Sequence, residues 1–518
     1  MPGTAKKIIR NTIYNSAGFI SLVLVNLLLT PYILKKLGSQ MFAIWSLIFV
    51  ITNYLNFFDL GIGSSFSKFI AEYQAKKDEF ALNSVINWGI GFYLIYSLLV
   101  YILVYLLRGS ILIFLKIPPV LQNDSSYALL GMISIFCFSN ILRIFKETLN
   151  GFQRMDVVNR ITIFSAAFFA ISAFLFLKNN HGIKGLVWAS GIQSGLVILG
   201  SAFFCKKIFP QMKISLSFLK KEIFNRLFRF GIKMQICSWA GIINFQSDKL
   251  VLSHFLGLNW VTFYELGQKV AMALRGLPLL AFGALVPAVS ELDAEQDYEK
   301  LRALYRQGSK YISLATFFLI FLTLLLAPYL IKIWVGEGYG LSSLTLQVLM
   351  LGLGINLLTG MGTSIVRGIG RPEYEARYAV LVLFVQLFLS IILVQKMGYP
   401  GVLIGSFSAA FLGSLYFLLI FHKLFAENFL RFAREIYFKP LAGSLVALVC
   451  AYSLNSYMLI HIRYSGIWEN LAPLVINFLI FSLVFFIFVS KTGYIQNKDL
   501  KVFKVYFGIG EHKVLEIK

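Results

Sequence analysis

The residues with chemistry to offer are concentrated between Asn244 and Gly276, NFQSDKLVLSHFLGLNWVTFYELGQKVAMALRG, a stretch otherwise apolar enough to sit in lipid. Asp248, Lys249, Glu265, Lys269 and Arg275 all fall inside it. Each charge near the centre of a membrane-spanning helix costs roughly 2.5 to 3.5 kcal/mol on insertion scales, so several retained together require a water-filled cavity, a partner or a task. Lys269 and Arg275 are suited to an anionic ligand. Asp248, Glu265 and, far upstream, Asp59 are carboxylates able to carry a coupling proton or sodium ion.

Helical spacing arranges these groups into lanes. Cys237, Gly241, Asn244 and Asp248 recur at i, i+4, i+7 and i+11, and Glu265, Lys269, Met272 and Gly276 do the same on the next helix, with Gln268 and Arg275 alongside. Two polar lanes on consecutive helices predict one wall of a cavity. A plainer reading stands beside this one. Glu265 and Lys269, four apart, can neutralise each other; Lys249 can pair with Asp59 or snorkel; Asp59 can cap or pair at a kink permitted by Gly61 and Gly63. Arg143 and Lys146 read as headgroup-level anchors, and Trp45, Trp260, Tyr264 and Trp334 as members of an aromatic belt.

The elements that must position these residues are membrane spans. The chain has 518 residues, 58% hydrophobic and only 14% charged, with a mean hydropathy of +0.75, which excludes an ordinary soluble enzyme. Stretches near the roughly 20 apolar residues a crossing helix needs recur throughout. They predict about fourteen spans, near 12–34, 41–60, 84–107, 125–146, 158–177, 184–204, 230–255, 260–288, 311–335, 343–366, 374–395, 401–421, 437–460 and 470–490. The second is interrupted at Asp59-Leu-Gly-Ile-Gly, with a bent continuation to Ile70 as the alternative to its ending there. The first is too long for a signal peptide and has no small-residue cleavage site, so it is expected to be retained.

Lys and Arg concentrate in alternate connections, including Lys76, Lys77, the run from Lys206 to Arg229, and the tail. The positive-inside rule then puts both termini in the cytoplasm. The net charge of +23 reads as topology plus attraction to membrane lipids, not as nucleic-acid binding. Residues 209–229 have the composition of a helix lying in the interface.

The chain also repeats itself. Leu37-Gly38 and the residues after it match Leu256-Gly257 at an offset of 219; Arg154 matches Arg371 at 217; Gly182 matches Gly398 at about 216. The expected architecture is all-α, with two parallel six-helix repeats at residues 1–208 and 230–435, a linker at 209–229, and two further spans with a basic tail at 436–518. The four cysteines show no CxxC spacing and no P-loop occurs, so no metal, cofactor, catalytic residue or nucleotide-driven step is expected.

Two parallel halves, Asp59-Leu-Gly-Ile-Gly, Ser247-Asp248-Lys249-Leu-Val-Leu-Ser-His-Phe-Leu-Gly257, and the Gly-Phe-Gln-Arg154 and Arg-Gly-Ile-Gly-Arg371-Pro corners together resemble polysaccharide flippases of the multidrug/oligosaccharidyl-lipid/polysaccharide exporter superfamily. The resemblance covers nearly the whole chain. It implies a V-shaped pair of bundles in the cell inner membrane, working by alternating access around a cavity lined by spans one, two, seven and eight. It implies as substrate an undecaprenyl-pyrophosphate-linked oligosaccharide for surface polysaccharide export, with H+ or Na+ and a polysaccharide polymerase as further partners. On this reading Lys269, Arg275, Lys249 and Asn244 bind substrate, and Asp59, Asp248 or Glu265 couples an ion. An ion-coupled multidrug exporter would prefer an acidic cavity, against which Lys269 and Arg275 argue. A polysaccharide-assembly enzyme would need a sizeable loop holding acid, base or metal ligands, and none is visible.

Overall fold

A computed structural model describes residues 2–59, 62–279, 285–461 and 468–495, which form helices and short connections with no strand among them. The first half comprises α1 (Pro2–Leu37), α2 (Ser39–Leu55), a 3-10 turn over Asn56–Asp59, α3 (Ile62–Ala75), α4 (Glu79–Phe114), α5 (Pro119–Ile141), α6 (Arg143–Gly151), α7 (Met155–Lys178) and α8 (Gly182–Ile208). The second comprises α9 (Lys221–Phe255), α10 (Leu258–Leu279), α11 (Leu285–Ala294), α12 (Tyr298–Val335), α13 (Gly340–Leu357), α14 (Gly360–Gly368), α15 (Glu373–Met397) and α16 (Tyr399–Leu424). A single turn α17 (Phe429–Phe432), a π-helical turn, α18 (Phe438–His461) and α19 (Trp468–Lys491) follow.

The repeat is visible in the places where the backbone cannot continue a helix. Gly38 and Gly257 take φ of 75° and 98° between α1 and α2 and between α9 and α10, a left-handed region that a Cβ penalises. Lys77 and Gln296, 219 residues apart, both adopt φ of 56°. The next residues, Asp78 and Asp297, each cap the following helix by accepting from a backbone N–H, that of Ala81 for α4 and that of Lys300 for α12. The fourth span of each half is broken at corresponding points. Leu142 alone separates α5 from α6, at a bend of 41°, whereas Leu358 and Thr359 separate α13 from α14. That one extra residue takes the offset from 216 at the helix ends Ile141 and Leu357 to 217 at the helix starts Arg143 and Gly360.

By length and composition alone ten helices among the described residues can cross a membrane, or eleven with α5 and α6 taken as one bent span, which leaves the expected count of fourteen unconfirmed. The tally runs α1 and α2 together and leaves out α9 and α10, which carry the buried charges. The interfacial helix expected over 209–229 is not separate either: from Lys221 onward it is the start of the 35-residue α9. Its first turns pack on α3, where Ser65 donates to the carbonyl of Leu227 at 2.9 Å and Arg226 reaches Glu72 at 3.2 Å.

Connections rich in Lys and Arg lie at one end of the bundle, here called the basic end. At the opposite, far end the halves are stitched by backbone acceptors: Thr262 Oγ1 to Ser39 O at 2.7 Å, and Ser253 Oγ to Leu115 O at 2.6 Å. Trp334 Nε1 donates to Leu27 O at 2.8 Å a little deeper. The last two spans pack on α12 through Leu322, Leu325, Ala447, Ala451, Phe481 and Phe485.

Candidate functional site

Where α1 and α2 meet α10 and the end of α9, the structure buries an ionic cluster. Lys249 and Glu265 are each eight residues from Gly257, so the turn there places them at one depth, about 12 Å from the far end by helical rise. Lys249 Nζ lies 2.6 Å from Glu265 Oε2. Ser46 Oγ donates to the same oxygen at 2.7 Å, and Lys269 Nζ approaches the other carboxylate oxygen at 3.7 Å. Lys269 also donates to Thr30 Oγ1 at 3.1 Å and rests 5.3 Å from the centroid of the Phe42 ring. A buried carboxylate between two ammoniums keeps its charge because both partners and the hydroxyl replace water.

Two cations to one anion leave this cluster at +1. Its outlet is Lys269, whose side chain is 25% exposed against 6% for Lys249. Lys249, expected among the substrate-binding residues, is instead enclosed, and its partner is Glu265 and not Asp59. Arg275, about 9 Å further along α10 by helical rise, donates from Nη2 to Asn356 Oδ1 at 2.9 Å, and Asn356 bonds Tyr378 in turn. Asn244, with Cys237 and Gly241 of the same lane, belongs to α9, in a stretch whose side chains lie outside those described.

Asp248 points the other way, into the second half. It accepts hydrogen bonds from Tyr264 Oη at 2.5 Å, Gln386 Nε2 at 3.0 Å and Ser390 Oγ at 3.2 Å, with Ser406 Oγ as a fourth donor. These come from α10, α15 and α16. Among the described residues no cation lies within ion-pair distance of it. Beside it is a small chamber of about 70 Å³ lined also by Gln268, Met272, Asn356 and Tyr378.

The third carboxylate, Asp59, is far from both. It stands at the break between α2 and α3, accepts from Tyr93 Oη at 2.7 Å and from the Gly63 amide at 3.2 Å, and pairs with Arg143 at 3.4 Å. A Cβ at Gly63 would stand 2.8 Å from Tyr93 Oη and 2.9 Å from Asp59 Oδ2, so only glycine lets the helix approach so closely. Arg143, read from sequence as an anchor, is thus a buried-side partner that also meets Glu147 at 3.4 Å. Lys146, read likewise, lines a chamber within the first half. The belt reading fails for Trp45 and Tyr264, which are buried to 5% and 2% exposure.

Neither charge spacing nor hydropathy pointed to Ser46, Thr30, Gln386, Ser390 or Ser406. The symmetric placement of Lys249 and Glu265 about Gly257 was the one available signal for their pairing.

Two helical halves joined face to face, with an ionic cluster at the seam and no strand among the described residues, define a multi-pass helical membrane protein built from two repeated bundles. Known proteins agree. The structure described as "Lipid II flippase MurJ, inward closed conformation" superposes with a TM-score of 0.70 at 18% identity, covering 93% of this chain and 99% of that one. An inward-facing multidrug resistance MATE family transporter of the MOP superfamily gives 0.64 at 16% identity, covering 80% and 94%. In sequence, the "Putative O-antigen transporter" of Shigella flexneri is 24% identical over 403 residues, 77% of this chain and 94% of that protein. The polysaccharide biosynthesis protein family matches residues 8–293, and the chain belongs to that family.

Proposed function

We propose that this protein flips an undecaprenyl-pyrophosphate-linked oligosaccharide across the cell inner membrane, by alternating access, during surface polysaccharide export. Both termini are then cytoplasmic, the basic end faces the cytoplasm, and a polysaccharide polymerase is the partner on the far side. The observation that carries the reading is the charge of the seam: Lys249, Glu265 and Lys269 sum to +1, and Arg275 adds another cation deeper on the same helix. A pyrophosphate moving between the halves gives up hydration and needs cationic donors at successive depths. A multidrug exporter moving cations would need the opposite sign there.

For ion coupling, Asp248 is the carboxylate favoured among the three. Asp59 is held by Arg143 and Glu265 by Lys249, whereas Asp248 is surrounded by neutral donors and borders a space of ion size.

The test is translocation of a fluorescent undecaprenyl-pyrophosphate oligosaccharide in proteoliposomes, read by a membrane-impermeant quencher. Lys269→Ala with Arg275→Ala should insert and express normally and lose translocation. Full activity in that double variant removes the cationic seam as the basis of the reading.

A further inference from the structure

The two halves carry chambers at equivalent places with opposite chemistry. The small chamber beside Asp248 is lined by Gln268, Met272, Asn356 and Ala410. Their counterparts in the first half, at offsets of 219, 219, 216 and 216, are Phe49, Asn53, Asn140 and Ser194, and these line a chamber of about 580 Å³. The counterpart of Asp248 is Leu29, so the first half has no acid at that point. Instead α6 brings Arg143, Lys146 and Glu147 to the wall, where α14 has Gly360, Thr363 and Ser364.

Ten of the nineteen lining residues carry a neutral amide or hydroxyl. That composition suits a ligand whose own groups both donate and accept, because Asn, Gln, Ser and Thr do the same. Phe49 and Phe136 add apolar ring faces. Arg143 is held between Asp59 and Glu147, and Glu147 also accepts from Ser67 and Asn150. Lys146 has no carboxylate within ion-pair distance among the described residues, so it is the cation the chamber can offer. The chamber is open on part of its boundary, and Phe49 on its wall is 41% exposed.

We infer that the first-half chamber is a saccharide subsite, taking sugar residues of the translocated glycan, with Lys146 favouring a sugar that bears a negative group. The inference rests on the lipid-linked oligosaccharide reading above and adds to it a place for the glycan apart from the seam. The negative group could be a carboxylate of the sugar or a phosphate on it, and the probes separate the two.

Calorimetric titration of the full chain in nanodiscs with lactose, glucuronate, glucose 1-phosphate and inorganic phosphate tests it. Lactose should bind, and the anionic sugar this glycan resembles, glucuronate or glucose 1-phosphate, about tenfold more tightly. Lys146→Ala should erase that preference and leave lactose unchanged. Ser194→Phe, which narrows the chamber, should weaken sugar binding; Gln193→Ala, a smaller change, should weaken lactose if the phenylalanine variant does not fold. The inference is overturned if no sugar binds the folded protein, if Lys146→Ala leaves the preference for the anionic sugar in place, or if that variant weakens inorganic phosphate as much as it weakens the anionic sugar. Translocation measured on the same samples keeps the two readings apart. A protein that translocates the lipid-linked substrate but binds no sugar here sinks the subsite alone, and one that binds sugars but does not translocate sinks the flippase reading.

Discussion

Ser46 Oγ and Glu265 Oε2 are 2.7 Å apart, and the two residues occupy the same position in the two halves, 219 residues apart. A contact between counterparts lies on the axis that relates the halves. The ionic cluster is therefore built where the pseudo-symmetry folds the chain onto itself, and at that point the two halves have diverged into a hydroxyl and a carboxylate. Each needs the other: the serine supplies a donor that the carboxylate, enclosed with two ammoniums, uses to complete its shell.

Removing the anion of that cluster should be costly. Glu265→Gln leaves Lys249 and Lys269 buried side by side, and breaking a buried pair costs about 3 to 5 kcal/mol. We expect a lower melting temperature and poor yield for the single variant. Adding Lys249→Met should restore much of the stability, which thermal unfolding of the purified double variant will report.

Lys249 and Lys269 should separate in function. Lys269→Ala is expected to fold well and lower the translocation rate at least about tenfold, because its ammonium is the exposed cation of the cluster. Lys249→Ala should appear mainly as lost stability, since it leaves Glu265 with one cation, at 3.7 Å. Comparing rate per folded molecule with melting temperature distinguishes the two.

Asp248→Asn should retain the fold, because an amide oxygen in the place of Oδ2 still accepts from Tyr264, Gln386 and Ser406, while the amide NH2 in the place of Oδ1 can donate to the Ser390 hydroxyl. If this carboxylate couples transport, the variant will lose the dependence of translocation on a proton or sodium gradient. Rates measured with and without each gradient in proteoliposomes check it. An unchanged response to both gradients rejects Asp248 as the coupling group.

At the break between α2 and α3, Gly63→Ala should destabilise by about 1 to 3 kcal/mol, the usual range for overpacking. The new methyl meets Tyr93 and Asp59 at under 3 Å. Tyr93→Phe removes the phenol at 2.7 Å and leaves space as well, so the pair of substitutions should be less harmful together than their separate costs imply. A thermal-unfolding double-mutant cycle measures that coupling.

Much of the architecture was legible from residues that control the backbone. Gly38 with Gly257 sets the tightest turns, and the offset they define carries through to the Asp78 and Asp297 caps. The interruption at Asp59 was likewise written in Gly61 and Gly63. What stayed hidden depends on contacts between distant helices. Gln386, Ser390 and Ser406 look in sequence like incidental polar residues in apolar spans, and only the packing of α15 and α16 against α9 turns them toward Asp248. Trp45 and Tyr264 sit at belt depth, but depth along a helix does not say which side faces lipid; the meeting of the halves buries both. Lys249 reads in sequence as a partner of Asp59 or as a snorkelling side chain, and its pairing with Glu265 follows from the antiparallel register across Gly257.

The turns at the far end have a consequence for anything arriving from that side. Between α1 and α16 the helices are joined there by Gly38, 115–118, 179–181, 256–257, 336–339 and Gly398, none longer than four residues. Along these six connections a protease, an antibody or a docking protein finds only bare knuckles in place of an epitope. Recognition of this part of the molecule must grip helix ends or the bundle's flank, and epitope tags for orienting it belong on the opposite, loop-bearing side.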